Sequence, residues 1–394
     1  MRNNNIEYLV GKNLLDPFPD KPYNNLVCKF LEDLSNLLLN HRDSVKYPDI
    51  KTLGFWCRKK NILRLKDNFK SEKLRVGVGL VFHITPSNVP TNFAYSLIFG
   101  LLTGNSNIVK VPSKNFYQIK LICGEINKIL KKKKFTNLRN RIVIVKYINN
   151  DEYTKQISLK CDSRLIWGGN KTINSIREFK IKERAFDLSF ADRFSLSIMD
   201  YKKVNNLSEY DLNNLVLKFY NDTYLVDQNA CSSPHLIIWL NKVKGGKNRF
   251  WENLLILLKK KYNMPQIAYL EKYSKLCEDL LVFKNIKNYK NFENYIYLIK
   301  LKNLNFHFCN LRGKWGYFYE YDIKDINIIS KFIDKSCQTI TYFGINKKKI
   351  NQFLENNKLK GIDRVVPVGQ ALEMDFNWDG YDINKVLTRV VDVK

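Results

Sequence analysis

The chain has 394 residues, of which 45% are hydrophobic and 13% aromatic, which excludes a disordered protein and suggests two or three domains with a sizeable core. Lysine and arginine number 66 against 38 acidic residues, a formal charge of +28. The eight cysteines include no Cys-x-x-Cys pair, which argues against a disulfide framework or a zinc site.

No run approaches ~18 apolar residues, so no membrane span is expected. The polar start "MRNNNIEYLV" lacks the apolar core of a signal sequence, so a cytoplasmic protein with reduced cysteines is expected.

Residues 1–74 carry helical patterns, chiefly 26–39, where apolar residues recur at three- and four-residue spacing. "GFWCRKKNI" leads into the first core strand, and its Trp56 reads as a packing residue. Residues 78–84 form a short β-branched run that stops at Thr85-Pro86, a buried parallel strand ending in a loop. Asn92 is a candidate helix cap, 93–102 is helix-compatible, Gly104-Asn105 is a left-handed stop, and 108–111 is the next strand. The alternation continues with helices near 115–132, 152–159 and 172–182 and strands at 141–147, 163–167 and 193–199. Five strands separated by helices imply an α/β, doubly wound, mostly parallel sheet, whose ligands lie beyond the carboxyl ends of its strands. The loop carrying Asn88, Lys110 and Gly168-Gly169 all fall at such ends.

Beyond residue 200 come a helix in "SEYDLNNLVLKFYND", the loop "DQNACSSPH", a strand at 236–240, a helix at 250–260 and a strand at 337–345. Cys231 lies among small and polar residues ahead of a proline, so a loop position is expected. Most cysteines behave as small buried hydrophobes, and that reading is adopted for the other seven.

"HITPSNVP", "GNSNIVKVPS", "ACSSP" and "WDGYDI" followed by "LTR", in that order, resemble the acyl-CoA reductase (LuxC) family of the aldehyde dehydrogenase superfamily. The resemblance covers most of residues 50–394. It implies an aldehyde dehydrogenase-like fold in three segments: a helical cap and NADP-binding domain at 1–200, a catalytic thiol domain at 201–362, and a C-terminal return segment at 363–394. It also implies NADPH-dependent reduction of a long-chain fatty acyl-CoA or acyl-carrier thioester to the aldehyde. Cys231 would be the nucleophile, since a thiolate takes an acyl group from a thioester with little change in bond energy. Asn88 would be the oxyanion donor, although turn chemistry alone would explain an Asn at that place.

Thr85, Pro86, Ser87, Lys110, Ser113, Gly168 and Gly169 would surround the cofactor. In the superfamily an acidic residue three places after the strand-end lysine meets the adenosine ribose in NAD-preferring members. Here that place is Ser113, beside Lys114, which favours NADPH. The Glu-Leu-Gly-Gly segment of the oxidising relatives is missing from "ERAFDLSFADRFSLSIMD". An acyl-cysteine should then persist, with Glu183, Asp187 and Asp192 as the first carboxylates to suspect if it does not. His235 is a weaker candidate base, and no metal ligands are expected.

Expected partners are the acyl thioester, an acyl-activating ligase or acyltransferase, and a second copy of the chain. Two rival readings remain: an acyl-phosphate reductase or aldehyde dehydrogenase on the same fold, and a basic nucleic-acid-binding protein on a degenerate scaffold. The last is disfavoured because lysine runs such as 131–134 and 347–349 are short and lack interleaved aromatics. A basic cleft would also attract the polyanions CoA and NADPH.

Overall fold

The computed structural model describes residues 6–12, 17–69, 71–148, 150–243, 249–304 and 307–394. Two compact units divide the chain, Met1–Asp192 with Met374–Lys394, and Arg193–Glu373.

The first unit holds β1 (Glu7–Val10), β2 (Leu74–Gly77), β3 (Leu80–Ile84), β4 (Ser106–Lys110), β5 (Ile142–Lys146), β6 (Ser163–Trp167) and β7 (Phe186–Phe190). Six of them form one sheet in the order β1-β5-β4-β3-β6-β7, parallel except for β1. β2 pairs antiparallel with Thr388–Val391 instead. The chain runs from β3 through β4 to β5 on one side and returns to β6 and β7 on the other. That reversal falls between β3 and β6, and the carboxyl ends of these strands, with that of β4 next to β3, form the edge where such sheets have their ligand crevice.

β3 and β6 are buried along their whole length, as central strands of a sheet covered on both faces are, and their polar members His83 and Arg164 are hydrogen-bonded inside. The helix Asn92–Leu102 is apolar all round, and every residue from Phe93 to Leu102 is buried. Against it pack Trp56 and Phe376, both edge-on to Phe99. The Trp56 indole also donates to Met374 O at 2.7 Å. The helix Asn25–Asn40, capped by Asn24 at 2.7 Å to Leu26 N, adds Val27, Phe30, Leu31, Leu34 and Leu38 to the same core.

The second unit holds β8 (Phe194–Asp200), β9 (Pro234–Leu240), β10 (Ile286–Phe292), β11 (Ile296–Leu301), β12 (Tyr317–Ile323), β13 (Cys337–Phe343) and β14 (Arg364–Pro367). Their order is β10-β11-β12-β9-β8-β13-β14, parallel except for β10.

The expected division after residue 200 assigns β8 to the first sheet, but β8 is hydrogen-bonded between β9 and β13 in the second. The expected return segment from 363 likewise begins too early, because β14 still pairs with β13 and the first unit resumes only at Met374. Thr91, with no side-chain capping bond, holds the cap position expected for Asn92, which is the first helical residue.

Arg164 on β6 is opposite Asp187 on β7 and almost fully buried. Its guanidinium meets both Asp187 oxygens, at 2.7 and 2.8 Å, and the remaining nitrogen donates to Ile176 O at 2.8 Å and Phe179 O at 2.9 Å. Such a fork holds two charges out of water only while every donor is satisfied. Asp187→Ala should therefore destabilise the protein by about 3–5 kcal/mol, read from urea unfolding of the two proteins. A loss below ~1 kcal/mol would mean that water reaches the guanidinium.

Candidate functional site

At the crevice of the first unit, Thr85 closes onto the end of β4. Its N–H and Oγ1 both donate to Lys110 O, at 3.1 and 2.8 Å. Pro86 to Pro90 then turn outward, leaving Ser87 and Asn88 exposed. Lys110 is half-buried at the end of β4 with its ammonium 4.9 Å from the Tyr147 ring. Burial pushes its pKa below the ordinary lysine value, and Asp151 partly opposes that. Ser113 and Lys114 are exposed just beyond it.

Gly168 N donates to Phe190 O at 3.1 Å, and Gly169 is the cap of the helix Asn170–Arg177. A Cβ at Gly168 would meet Thr172 Cβ at 3.1 Å, so smallness there is a packing requirement. At Gly169 a Cβ would meet nothing within 4 Å, so the helix N-terminus faces open space. An unobstructed helix start is a place where an anion can be held by main-chain N–H groups. Gly79, by contrast, serves the fold: its φ is +133°, and a Cβ would fall 2.2 Å from Asp162 Oδ2.

Beneath this crevice runs a chain of buried hydrogen bonds that sequence reasoning missed. Trp167 Nε1 donates to Ser96 Oγ at 2.9 Å, Ser96 Oγ is 2.7 Å from His83 Nδ1, and His83 Nε2 is 2.9 Å from Asn107 Oδ1. Asn107 Nδ2 donates to Asn105 O at 2.8 Å, which turns its Oδ1 toward the imidazole. Only one proton arrangement satisfies all of these: Nε2 carries the histidine proton and Ser96 donates to Nδ1. Burial pushes His83 down from 6.5 to about 4.

In the second unit, Cys231 lies half-buried in the turn ahead of β9. Asp227 and Gln228 before it are both left-handed, with φ of 52° and 60°, an uncommon conformation for side-chain-bearing residues. Surrounding bonds hold them there. Asp227 accepts from the Tyr262 hydroxyl at 2.6 Å. The buried Gln228 amide donates to Pro234 O at 3.1 Å and Tyr317 O at 3.2 Å, and accepts from Gly316 N at 3.1 Å. Ser195 on β8 donates to Cys231 O at 2.7 Å and accepts from Thr339 N at 3.2 Å. Neither Gln228 nor Ser195 was singled out in the sequence, where nothing marks either side chain as buried.

His235 is unsuited to act as a base. It is buried, its Nδ1 accepts from Gly313 N at 3.3 Å, and burial followed by the nearby Arg312 charge pushes it down to about 3. Asp187 is likewise committed to Arg164, whereas Glu183 is exposed. Among the described residues no cluster of three or more His, Cys, Asp or Glu could hold a metal ion, and no helix is long and apolar enough to cross a membrane.

The family model for acyl-CoA reductase (LuxC) matches residues 27–269, more than half of the chain. The chain belongs to the acyl-CoA reductase (LuxC) family. No curated protein sequence is matched. Among solved structures it is similar to a betaine aldehyde dehydrogenase from Staphylococcus aureus in complex with NAD+, with 13% identity, TM-score 0.60, and 86% of this chain and 74% of that one covered. It is also similar to an NAD-dependent aldehyde dehydrogenase from Sinorhizobium meliloti (10%, TM-score 0.59, 87% and 74% covered). An oxidoreductase from Marinobacter aquaeolei gives 11%, a TM-score of 0.61, and coverage of 90% and 80%. At such identities the likeness establishes the aldehyde dehydrogenase fold, and the LuxC family makes the chain an oxidoreductase.

The neutral histidine under the crevice should make this LuxC-family protein less stable in acid. Because the folded-state pKa of His83 is below the unfolded value, its contribution to stability is complete above pH ~6.5 and is lost as pH falls toward 4. Over that window the loss should be about 3 kcal/mol. His83→Gln should be less stable at neutral pH but show a flatter acid decline in urea midpoint. Parallel declines for the two proteins would place the titrating group elsewhere.

Proposed function

We propose that the protein reduces a long-chain fatty acyl-CoA or acyl-carrier thioester to the aldehyde with NADPH, through an acyl-cysteine on Cys231. The observation that carries this reading is the braced turn at Cys231. Its main chain is tied to β8 through Ser195, while Gln228 fixes the residues before it, so the thiol is presented from a backbone that cannot relax away.

The Cys231 thiolate adds to the thioester carbonyl, and the carbon–sulfur bond to the carrier then breaks, releasing a thiolate that takes up a proton. The oxygen on which charge develops needs an N–H donor, the role that the family resemblance implies for Asn88. A reduced nicotinamide, when bound, supplies the hydride that converts the acyl group into an aldehyde. Expulsion of the aldehyde restores the cysteine thiolate.

Two features support release by reduction rather than by water. The stretch from 183 to 200 contains no Glu-Leu-Gly-Gly, and Asp187 within it is consumed by Arg164. For the cofactor, Thr85 to Ser87, Lys110, Gly168 and Gly169 would hold the ribose and phosphates, with Ser113 and Lys114 accepting a 2′-phosphate. An acyl-activating ligase or acyltransferase is the partner class that would supply the thioester.

Cys231→Ala should abolish acylation seen by intact mass after mixing with acyl-CoAs of graded length, with NADPH binding by fluorescence unchanged. An adduct retained in the variant would assign the nucleophile to another residue. Ser113→Glu should weaken NADPH by about tenfold or more relative to NADH, because a carboxylate is set against the 2′-phosphate. Equal losses for the two cofactors would detach "KVPS" from the ribose site.

A further inference from the structure

The helix Gln266–Val282 is inverted relative to an ordinary surface helix. Toward the protein it buries Ala268, Lys272, Leu276 and Asp279, at three- and four-residue spacing, so two of its four inward residues are charged. Those charges are satisfied from below. Lys272 Nζ donates to Asn294 O, and Asp279 Oδ2 accepts from the Tyr317 and Tyr319 hydroxyls, both at 2.6 Å.

Outward it presents Ile267, Leu270, Tyr273, Leu280 and Leu281, with Leu270 64% and Leu281 84% exposed. At 100° per residue these five, with Ser274 and Cys277 between them, cover a continuous arc of solvent-facing surface that includes no charged residue. Glu271 and Glu278 border the arc on one side only. Scattered exposed leucines need no explanation, but a contiguous apolar face on a helix that buries its charges does.

At the carboxyl end of the helix this face runs into a concavity lined by Leu280, Phe283, Ile286 and Tyr289 together with Lys284, Lys287 and Lys302. No carboxylate lines it. An apolar helix face continued by ammonium groups matches the layering of an anionic membrane surface, acyl chains beneath negatively charged headgroups. A second copy of the chain is the rival occupant of the apolar face, but it would leave the lysine-lined concavity without the anionic partner that a lipid headgroup layer supplies.

We propose that the outer face of the helix Gln266–Val282, with Lys284, Lys287 and Lys302, docks the protein peripherally on an anionic lipid bilayer. Extruded vesicles of phosphatidylcholine alone and with phosphatidylglycerol, floated with the full-length protein at ~0.1 M salt, test this. The protein should float with the phosphatidylglycerol vesicles and largely remain behind with phosphatidylcholine. The double variant Leu270→Glu/Leu281→Glu should lower the bound fraction about tenfold, and Lys284→Glu/Lys287→Glu should lower it and remove most of the salt dependence. Circular dichroism melts matching the wild type would show that both variants are folded. Because the substitutions lie on an exposed face, Ile267→Ser serves as a milder replacement for either variant that does not fold.

Two results would overturn the proposal. One is flotation that the helix substitutions leave unchanged, which would trace binding to the overall charge of +28. The other is absence of flotation, including the case where light scattering finds a dimer that Leu270→Glu/Leu281→Glu dissociates and the face is an interface between copies.

Discussion

A hydroxyl carried inward by a helix buried on every face has to find its partners inside the protein, and the first unit is arranged around that constraint at Ser96. The helix Asn92–Leu102 carries Ser96 inward, with no water to serve its hydroxyl. Trp167 and His83 take that role, and His83 then requires Asn107. The chain links the carboxyl-terminal half of β3, the start of β4 and the last residue of β6, the three strands whose ends frame the crevice. Trp167 also stacks on Phe190 at 3.7 Å between ring centroids, which carries the link to the end of β7. A polar chain in which every donor has one acceptor admits a single arrangement, so it rigidifies the rim from below without occupying it.

The second unit reaches rigidity by different means. Its cysteine turn has two consecutive left-handed residues, which cost free energy and persist only when neighbouring bonds over-determine them. One glutamine makes most of those bonds: with three hydrogen bonds to main-chain groups, Gln228 joins the start of β9 to the start of β12. The turn is therefore an extension of the sheet. Strand-end positions in this fold are where side chains for chemistry can be added with least disturbance to the layers beneath.

Much of this architecture was legible in the sequence where local pattern and burial agree. β6 was expected at 163–167 and is found there, because Leu165, Ile166 and Trp167 close a short segment that ends at the Gly168-Gly169 turn signal. The helix near 26–39 and the loop position of Cys231 follow from periodicity and small-residue chemistry in the same way. β8 has the same buried, apolar character as the strands before it, so nothing local distinguishes membership of the first sheet from the second; pairing partners decide that. β1 and β7 escaped notice for a related reason, since both are sheet edges with mixed burial. The Asn92 cap failed because the turn that precedes it already places Thr91 at the helix boundary. His83, Ser96 and Asn107 are ordinary residues singly, and only the folded geometry makes them one unit.

The helix Gln266–Val282 shows where periodicity alone would mislead. A pattern reader turns Leu270 and Leu281 toward the core, since burying each is worth roughly 1.5–3 kcal/mol. The sheet beneath offers the opposite surface, with Tyr317 and Tyr319 hydroxyls and the carbonyls of Asn294 and Tyr295, all of which need partners. Leaving each of those groups unsatisfied under a leucine face would cost about as much as exposing a leucine, and a buried Lys272 and Asp279 satisfy several at once, which tips the balance. Burial still weighs on the amine, whose pKa falls to about 7. The polar demand of the sheet thus sets the rotation of the helix about its axis, and the apolar residues face outward as a consequence. A surface produced this way is energetically unfavourable to leave in water, which is why its position beside a basic concavity bears on what the protein meets.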